Sequence, residues 1–198
     1  MPPPLLRPFL FPALSIGTDI AHVPRIARLV ASPRTLPRFL RKVLTSREEH
    51  EFQLRFAAKL RLRDGSTTLG PALPWGSSSV VDWIKNDGVA TGGKGGDADG
   101  ERDRWVERAA RFLAGRWAAK EAVVKACSWR RLMFDEIMVL REEGGKRVYG
   151  VILDEREVRE AGEDIQGEPA GQVVQLSISH DGEYATAVCL AADESRVL

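Results

Sequence analysis

Cysteine and histidine are scarce in this chain: its 198 residues include two cysteines and three histidines, His22, His50 and His180. Cys127 and Cys189 stand far apart, with no second Cys or His at zinc-ligand spacing, so neither a structural zinc site nor a disulfide framework is expected. Long apolar runs are missing too. Nothing approaches the roughly 18 consecutive apolar residues of a membrane span. The opening MPPPLLRPFLFPAL has three early prolines and a single Arg, which suits neither a secretion signal nor a strong transit peptide. The same segment has no acidic residue, so a short mitochondrial presequence is compatible with it. The expected setting is a soluble, reducing compartment, undecided between cytoplasm and mitochondrion.

What is present is enough apolar material for one ordinary domain: 43% of residues are hydrophobic. The net charge of +1 hides an uneven distribution. Residues 1–63 carry 12 Lys/Arg against 4 Asp/Glu, a balance of +8, which leaves −7 for the remainder. A basic face of this kind serves nucleic acid, a membrane or an acidic protein equally well, and is also simply a well-solvated helix surface. Exposed aromatics interleaved with the basic residues, or a groove-reading motif, would favour nucleic acid; neither is found, and no nucleic-acid partner and no membrane partner are expected.

Half of the eighteen glycines fall in residues 64–103, in DGSTTLG, PWGSSS and DGVATGGKGGDADG, which read as a flexible insertion. The chain is therefore expected to be an N-terminal extension, 1–13, and a single domain, 14–198, interrupted at about 64–103. LSIGTDI (14–20) alternates Leu14, Ile16 and Ile20 against Ser15, Gly17 and Asp19, a strand pattern that sets Asp19 opposite the apolar residues. HVPRIARLV reads as a helix with Pro24 near its start, PRFLRKVL as a second, and TSREE offers two overlapping capping boxes, Thr45 with Glu48 or Ser46 with Glu49, opening a third.

RFLAGRWAAKEAVVKA (111–126) is the central helix. After it, FDEIMVL and RVYGVIL flank Gly144-Gly145, DEREVREAG suggests a short helix, and VVQLSISH and EYATAVCLAA meet near Asp181-Gly182; both glycine sites read as hairpin turns. The expected fold class is α+β, an antiparallel sheet packed with a long central helix and shorter helices on one side.

Glu121 and Lys125 lie four residues apart on one face of that helix. The plain explanation is a surface ion pair worth about 0.2–0.5 kcal/mol, and for Asp19 a turn or helix cap. Taken together, two carboxylates from different elements make a hard-cation site, and a lysine one turn along can hold phosphate oxygens. Magnesium suits such a site, because it keeps several waters and takes one or two carboxylates plus substrate phosphates.

IGTDI, FLAGRWAAKEAVVKA and LSISHDGEYATA, in this order, resemble the three signature regions of the 4′-phosphopantetheinyl transferases, specifically the short holo-acyl-carrier-protein synthase group. The resemblance covers roughly residues 14–62 and 105–190. It implies a Mg2+-dependent transfer of phosphopantetheine from coenzyme A to a serine of an acidic apo acyl carrier protein, with release of adenosine 3′,5′-bisphosphate. Asp19 and Glu121 match the family's metal-binding acids and Lys125 its phosphate-contacting lysine, the three forming the catalytic set. Arg116, Lys120 and His180 match positions lining the same nucleotide site, and Arg25 and Arg28 fall where the carrier protein docks. The group also implies a homotrimer.

Two departures stand out. Position 21 is Ala where the surfactin-synthase-activating group has a second acid, as expected for the shorter group. The helix is followed by Cys127, Ser128, Trp129, Arg130 and Arg131 instead of a glycine-containing loop, and Arg130-Arg131 with the insertion look like fungal stand-alone members. A serine proton acceptor is eligible in Glu121 or in a metal-bound water. The rival from another class is a non-catalytic module that binds coenzyme A or a carrier protein.

Overall fold

The computed structural model describes residues 13–32, 34–61, 96–142, 147–154 and 169–193, without the side chains of 57–61 and 96–102. Strand β1 (Leu14–His22) leads into α1 (Val23–Val30), α2 (Leu36–Val43), α3 (Ser46–Arg61) and the 31-residue α4 (Gly96–Ala126). A 3-10 turn (Phe134–Glu136) then opens β2 (Ile137–Arg141), followed by β3 (Val148–Leu153), β4 (Gly171–Asp181) and β5 (Tyr184–Ala192). The five strands form one sheet in the order β1-β5-β4-β3-β2, every neighbouring pair antiparallel. The α+β architecture expected from the sequence is the one observed.

The helix α4 lies across one face of this sheet, and small residues let it come close. Ala114, Ala118, Ala119, Ala122 and Ala126 are buried on its side, against Gly17 and Ala21 of β1 and Ala185, Ala187, Cys189 and Ala191 of β5. A Cβ at Gly17 would overlap the Ala122 carbonyl oxygen and sit 2.5 Å from the Ala126 nitrogen, so only glycine permits this backbone-to-backbone approach.

The alternation read in LSIGTDI is present, yet its apolar half faces outward: Ile16 is 66% and Ile20 60% exposed. A helix surface made of alanine methyls fills space only against equally small partners, so Gly17 and Ala21 turn inward and the isoleucines turn away.

α1 and α2 pack on the flank of α4 through Ile26, Val30, Phe39, Leu40 and Val43. The phenyl rings of Phe52, Phe56 and Phe112, with Trp105, tie α3 to the first half of α4. Of the two capping boxes, Thr45 with Glu48 forms: the Glu48 nitrogen donates to Thr45 Oγ1 at 3.4 Å and the Thr45 nitrogen to Glu48 Oε2 at 2.9 Å.

Helix α4 already covers Gly96 to Asp103, the last part of the stretch read as an insertion at about 64–103; extending a nucleated helix adds a hydrogen bond per residue and outlasts unfavourable glycines. Residues 62–95, the extension up to residue 12, Gly144-Gly145 and DEREVREAG beyond Asp154 lie outside the described residues. The β4–β5 hairpin turns on Gly182-Glu183, with Gly182 at φ 51°, the left-handed region that favours glycine.

Candidate active site

Asp19 and Lys125 meet where the C-terminal end of α4 crosses β1. Because Gly17 seats this part of the helix directly on the strand, Asp19, two residues further along the same strand face, comes within reach of Lys125. The ammonium donates to Asp19 Oδ1 at 2.7 Å and to the Thr18 carbonyl oxygen at 3.0 Å. The Asp19 side chain is 15% exposed and that of Lys125 51%. Glu121 stands one turn back on the same helix face, half-buried, with no hydrogen bond or ion pair to any described residue. The local surface pair Glu121–Lys125 therefore does not form; the lysine crosses to the strand instead. No cluster of three or more His, Cys, Asp or Glu suited to a metal occurs among the described residues.

Lys120 and Arg116 are placed elsewhere. Both side chains turn toward α3, away from the Asp19–Lys125 pair. Lys120 is completely buried and donates to Glu48 Oε2 at 2.6 Å and to the Phe134 carbonyl at 2.9 Å. Burial lowers its pKa from the ordinary lysine value, with Glu48 acting in the opposite direction. The guanidinium of Arg116 donates to Glu51 Oε2 at 2.6 Å, approaches Glu48 Oε1 through Nε at 3.6 Å, and lies 4.8 Å from the centre of the Phe112 ring. Helical geometry explains the split: neighbouring residues point about 100° apart, so Lys120 turns to α3 and the turn before β2 while Glu121 does not.

His180, near the end of β4, shares the helix-facing side of the sheet and lies over Gly115, its ring atoms 3.2 Å from where a Cβ would stand. In the sheet it is separated from β1 by β5, so it does not touch the Asp19–Lys125 pair. Burial, and then the Arg111 charge, lower its pKa. Isolated Gly115 inside FLAGRW was the sequence signal of this close approach.

Arg25 and Arg28 are exposed on α1, with Arg25 5.6 Å from the centre of the Trp117 ring. Lys42 of α2 approaches the same ring at 5.6 Å, and Phe39 stacks on it. Between Asp19 and Glu48 the chain contains no acidic residue. Arg34, Arg38, Arg41 and Lys42 are also exposed, so the basic surface extends over both short helices. In the loop after α4, Arg130 reaches Glu136 at 3.4 Å while Arg131 is exposed. Cys127 and Cys189 are buried, free thiols, whose pKa values burial pushes up to about 11 and about 12.

No family model matches the chain. It is 34% identical over 194 residues to the 4′-phosphopantetheinyl transferase B, mitochondrial, of Aspergillus fumigatus, a match covering 94% of this chain and 98% of that protein. It is 40% identical over 97 residues to the holo-acyl-carrier-protein synthase of Corynebacterium efficiens, covering 42% of this chain and 62% of that protein. Among solved structures, the Chronobacterium ammoniagenes ACPS-CoA complex is 26% identical, with a TM-score of 0.48, covering 91% of this chain and 97% of that one. The chain belongs to the 4′-phosphopantetheinyl transferase family. Within it, the resemblance is to the holo-acyl-carrier-protein synthases.

Proposed function

We propose that the chain transfers 4′-phosphopantetheine from coenzyme A to a serine of an apo acyl carrier protein and releases adenosine 3′,5′-bisphosphate. The observation that carries this reading is the meeting of Asp19 and Lys125, with Glu121, which has no partner among the described residues, one helical turn away.

Two carboxylates and no softer ligand fit a hard divalent cation that shares its remaining positions with water and phosphate. Asp19 and Glu121 are the residues for it. Mg2+ bound there supplies charge neutralisation at the pyrophosphate.

Lys125 spends two of its three donors on Asp19 and Thr18, which leaves the third for a phosphate oxygen of the substrate. In the reaction the serine oxygen bonds to the β-phosphorus as the bond from that phosphorus to the bridging oxygen breaks. The departing bisphosphate takes the electron pair, and Lys125 offsets its growing charge. The serine proton leaves to a base, for which Glu121 is a candidate by position.

The acid-free surface around Arg25 and Arg28 suits an acidic carrier protein, steering it to the site by long-range attraction. A homotrimer is the proposed assembly. Ile16, Ile20, Val173, Val188 and Leu190 form an exposed apolar face on the sheet, of the kind that subunit contact covers. A monomeric mass in dilute solution would remove that part. The compartment is undecided between cytoplasm and mitochondrion: the fungal relative's name includes mitochondrial, and no helix among the described residues is long and apolar enough to cross a membrane.

The direct test incubates the protein with coenzyme A, Mg2+ and an apo acyl carrier protein, and looks by mass spectrometry for the added arm. Modification is expected with the native protein and lost with Glu121→Gln. Binding of coenzyme A without modification of several apo carriers would instead favour a non-catalytic binding module.

A further inference from the structure

Glu48 has a larger part than the helix cap read from the sequence. Glu48 is 1% exposed, and its carboxylate gathers groups from four residues. Oε2 accepts from the Thr45 nitrogen at 2.9 Å, the Thr45 hydroxyl at 3.1 Å and Lys120 Nζ at 2.6 Å, while Oε1 accepts from the Val139 nitrogen at 3.1 Å and faces Arg116 Nε at 3.6 Å. The start of α3, the middle of α4 and strand β2 are thereby joined at one anion. Lys120 also holds the Phe134 carbonyl, just before β2.

The part of the helix–sheet interface that this anion accompanies is made largely of small residues. Along the strands β1 and β5, α4 presents alanines to glycine and alanines. Gly17 fixes how closely α4 approaches β1, but methyl groups of equal size discriminate poorly between neighbouring rotations of the helix about that contact. A buried, directional ion pair supplies the missing discrimination, as polar groups do when they set register in other helical interfaces. The residue after Lys120 is Glu121, so an error in the helix's rotation moves that carboxylate directly.

We propose that Glu48 is a positioning residue of the active site: through Lys120 it sets the rotation of α4 that presents Glu121 and Lys125 beside Asp19. This rests on the transferase reading of that site, and it predicts a defect in metal binding and turnover that is separable from stability. Glu48 touches neither substrate nor metal. It acts through the helix.

The test uses the full chain and the double variant Glu48→Gln/Lys120→Met, which leaves no uncompensated charge in the core. Folding is followed by circular dichroism, Mn2+ binding in the presence of coenzyme A by the resonance of free Mn2+, and turnover by carrier modification. Loss of a partner supporting a metal ligand typically weakens metal binding or activity about 10- to 100-fold. A folded double variant is expected to need at least about tenfold more Mn2+ for half-saturation and to lose kcat by a similar factor, with KM for the carrier unchanged. Half-saturation and kcat both within twofold of the native values would overturn the proposal.

If that variant does not fold, Glu48→Asp keeps the charge but withdraws it by one methylene. It is expected to weaken Mn2+ binding and kcat in the same direction, and native behaviour in both would overturn the proposal. Native protein that binds Mn2+ in a Glu48-dependent way but modifies no carrier would sink the transferase reading and leave the positioning role standing. Native protein that binds no Mn2+ would sink the positioning role.

Discussion

Lys120 and Lys125 sit on the same helix, five residues apart, and differ in almost every physical respect. Lys120 is wholly enclosed, with its ammonium committed to Glu48 and to a backbone carbonyl. Lys125 is half exposed, and its contact with Asp19 joins two side chains at the edge of solvent. The first lysine has exchanged its water for fixed partners and depends on them; the second keeps water available for replacement by a ligand. Enclosure makes a cation a part of the fold, whereas partial exposure leaves it able to meet phosphate. On the proposed reading the two lysines divide between architecture and chemistry, and substitutions at each should separate stability from activity.

The largest effect is expected on the buried side. Lys120→Met removes the shorter of the two ion pairs of buried Glu48 and leaves only Arg116, 3.6 Å away, to offset its charge; breaking a buried pair from one side costs about 3–5 kcal/mol. Urea unfolding should show the loss directly, with Glu48→Gln recovering part of it when added. A second core change, Gly17→Ala, forces a methyl group into the Ala122 carbonyl and the Ala126 nitrogen. Backbone on both sides cannot step aside as a flexible side chain would, so destabilisation at or above the top of the roughly 1–3 kcal/mol range for overpacking is expected. The Asp19–Lys125 contact should then loosen too, which a fall in carrier modification per folded molecule would register.

Lys125→Ala inverts this pattern. An ion pair of such exposure is worth about 0.2–1 kcal/mol, so the unfolding midpoint should barely move. Turnover should fall about a hundredfold, the scale on which a single electrostatic donor to a developing anion acts. Equal losses of stability at Lys120 and Lys125 would erase the contrast between them.

Why that contrast is hard to read in advance is a matter of which face meets what. WAAKEAVVKA states that Lys120, Glu121 and Lys125 share a helix and that the last two share a side; it does not state where α3 lies. Likewise LSIGTDI specifies alternation and sets Asp19 apart from the isoleucines, but not which half is inside. That was decided by the alanine surface of α4, which accepts Gly17 and leaves Ile16 and Ile20 outward. Strands, helix order, the Thr45–Glu48 cap and the final hairpin were legible because each depends on local periodicity or turn chemistry. The path of Glu48 to Lys120 and Val139 was not, because it joins residues 72 and 91 positions apart.

The smallest expected effect concerns His180 and bears on the same division of labour. Burial and the Arg111 charge lower its pKa, so acid protonates this imidazole more readily in the unfolded chain than in the folded one. As pH falls through about 6.5 the unfolded state takes up a proton first, and stability should decline until the folded-state pKa is also passed. Comparing urea midpoints of the native chain and His180→Asn at about pH 7.5 and 5.5 isolates this component, since His22 and His50 are common to both. The native chain should lose more stability on acidification than the variant. Equal losses would mean that the imidazole titrates as it does in water. On the proposed transferase reading, a lowered pKa leaves His180 neutral at pH 7, with one N–H for a phosphate and no charge, so the positive charge of the site falls to Lys125.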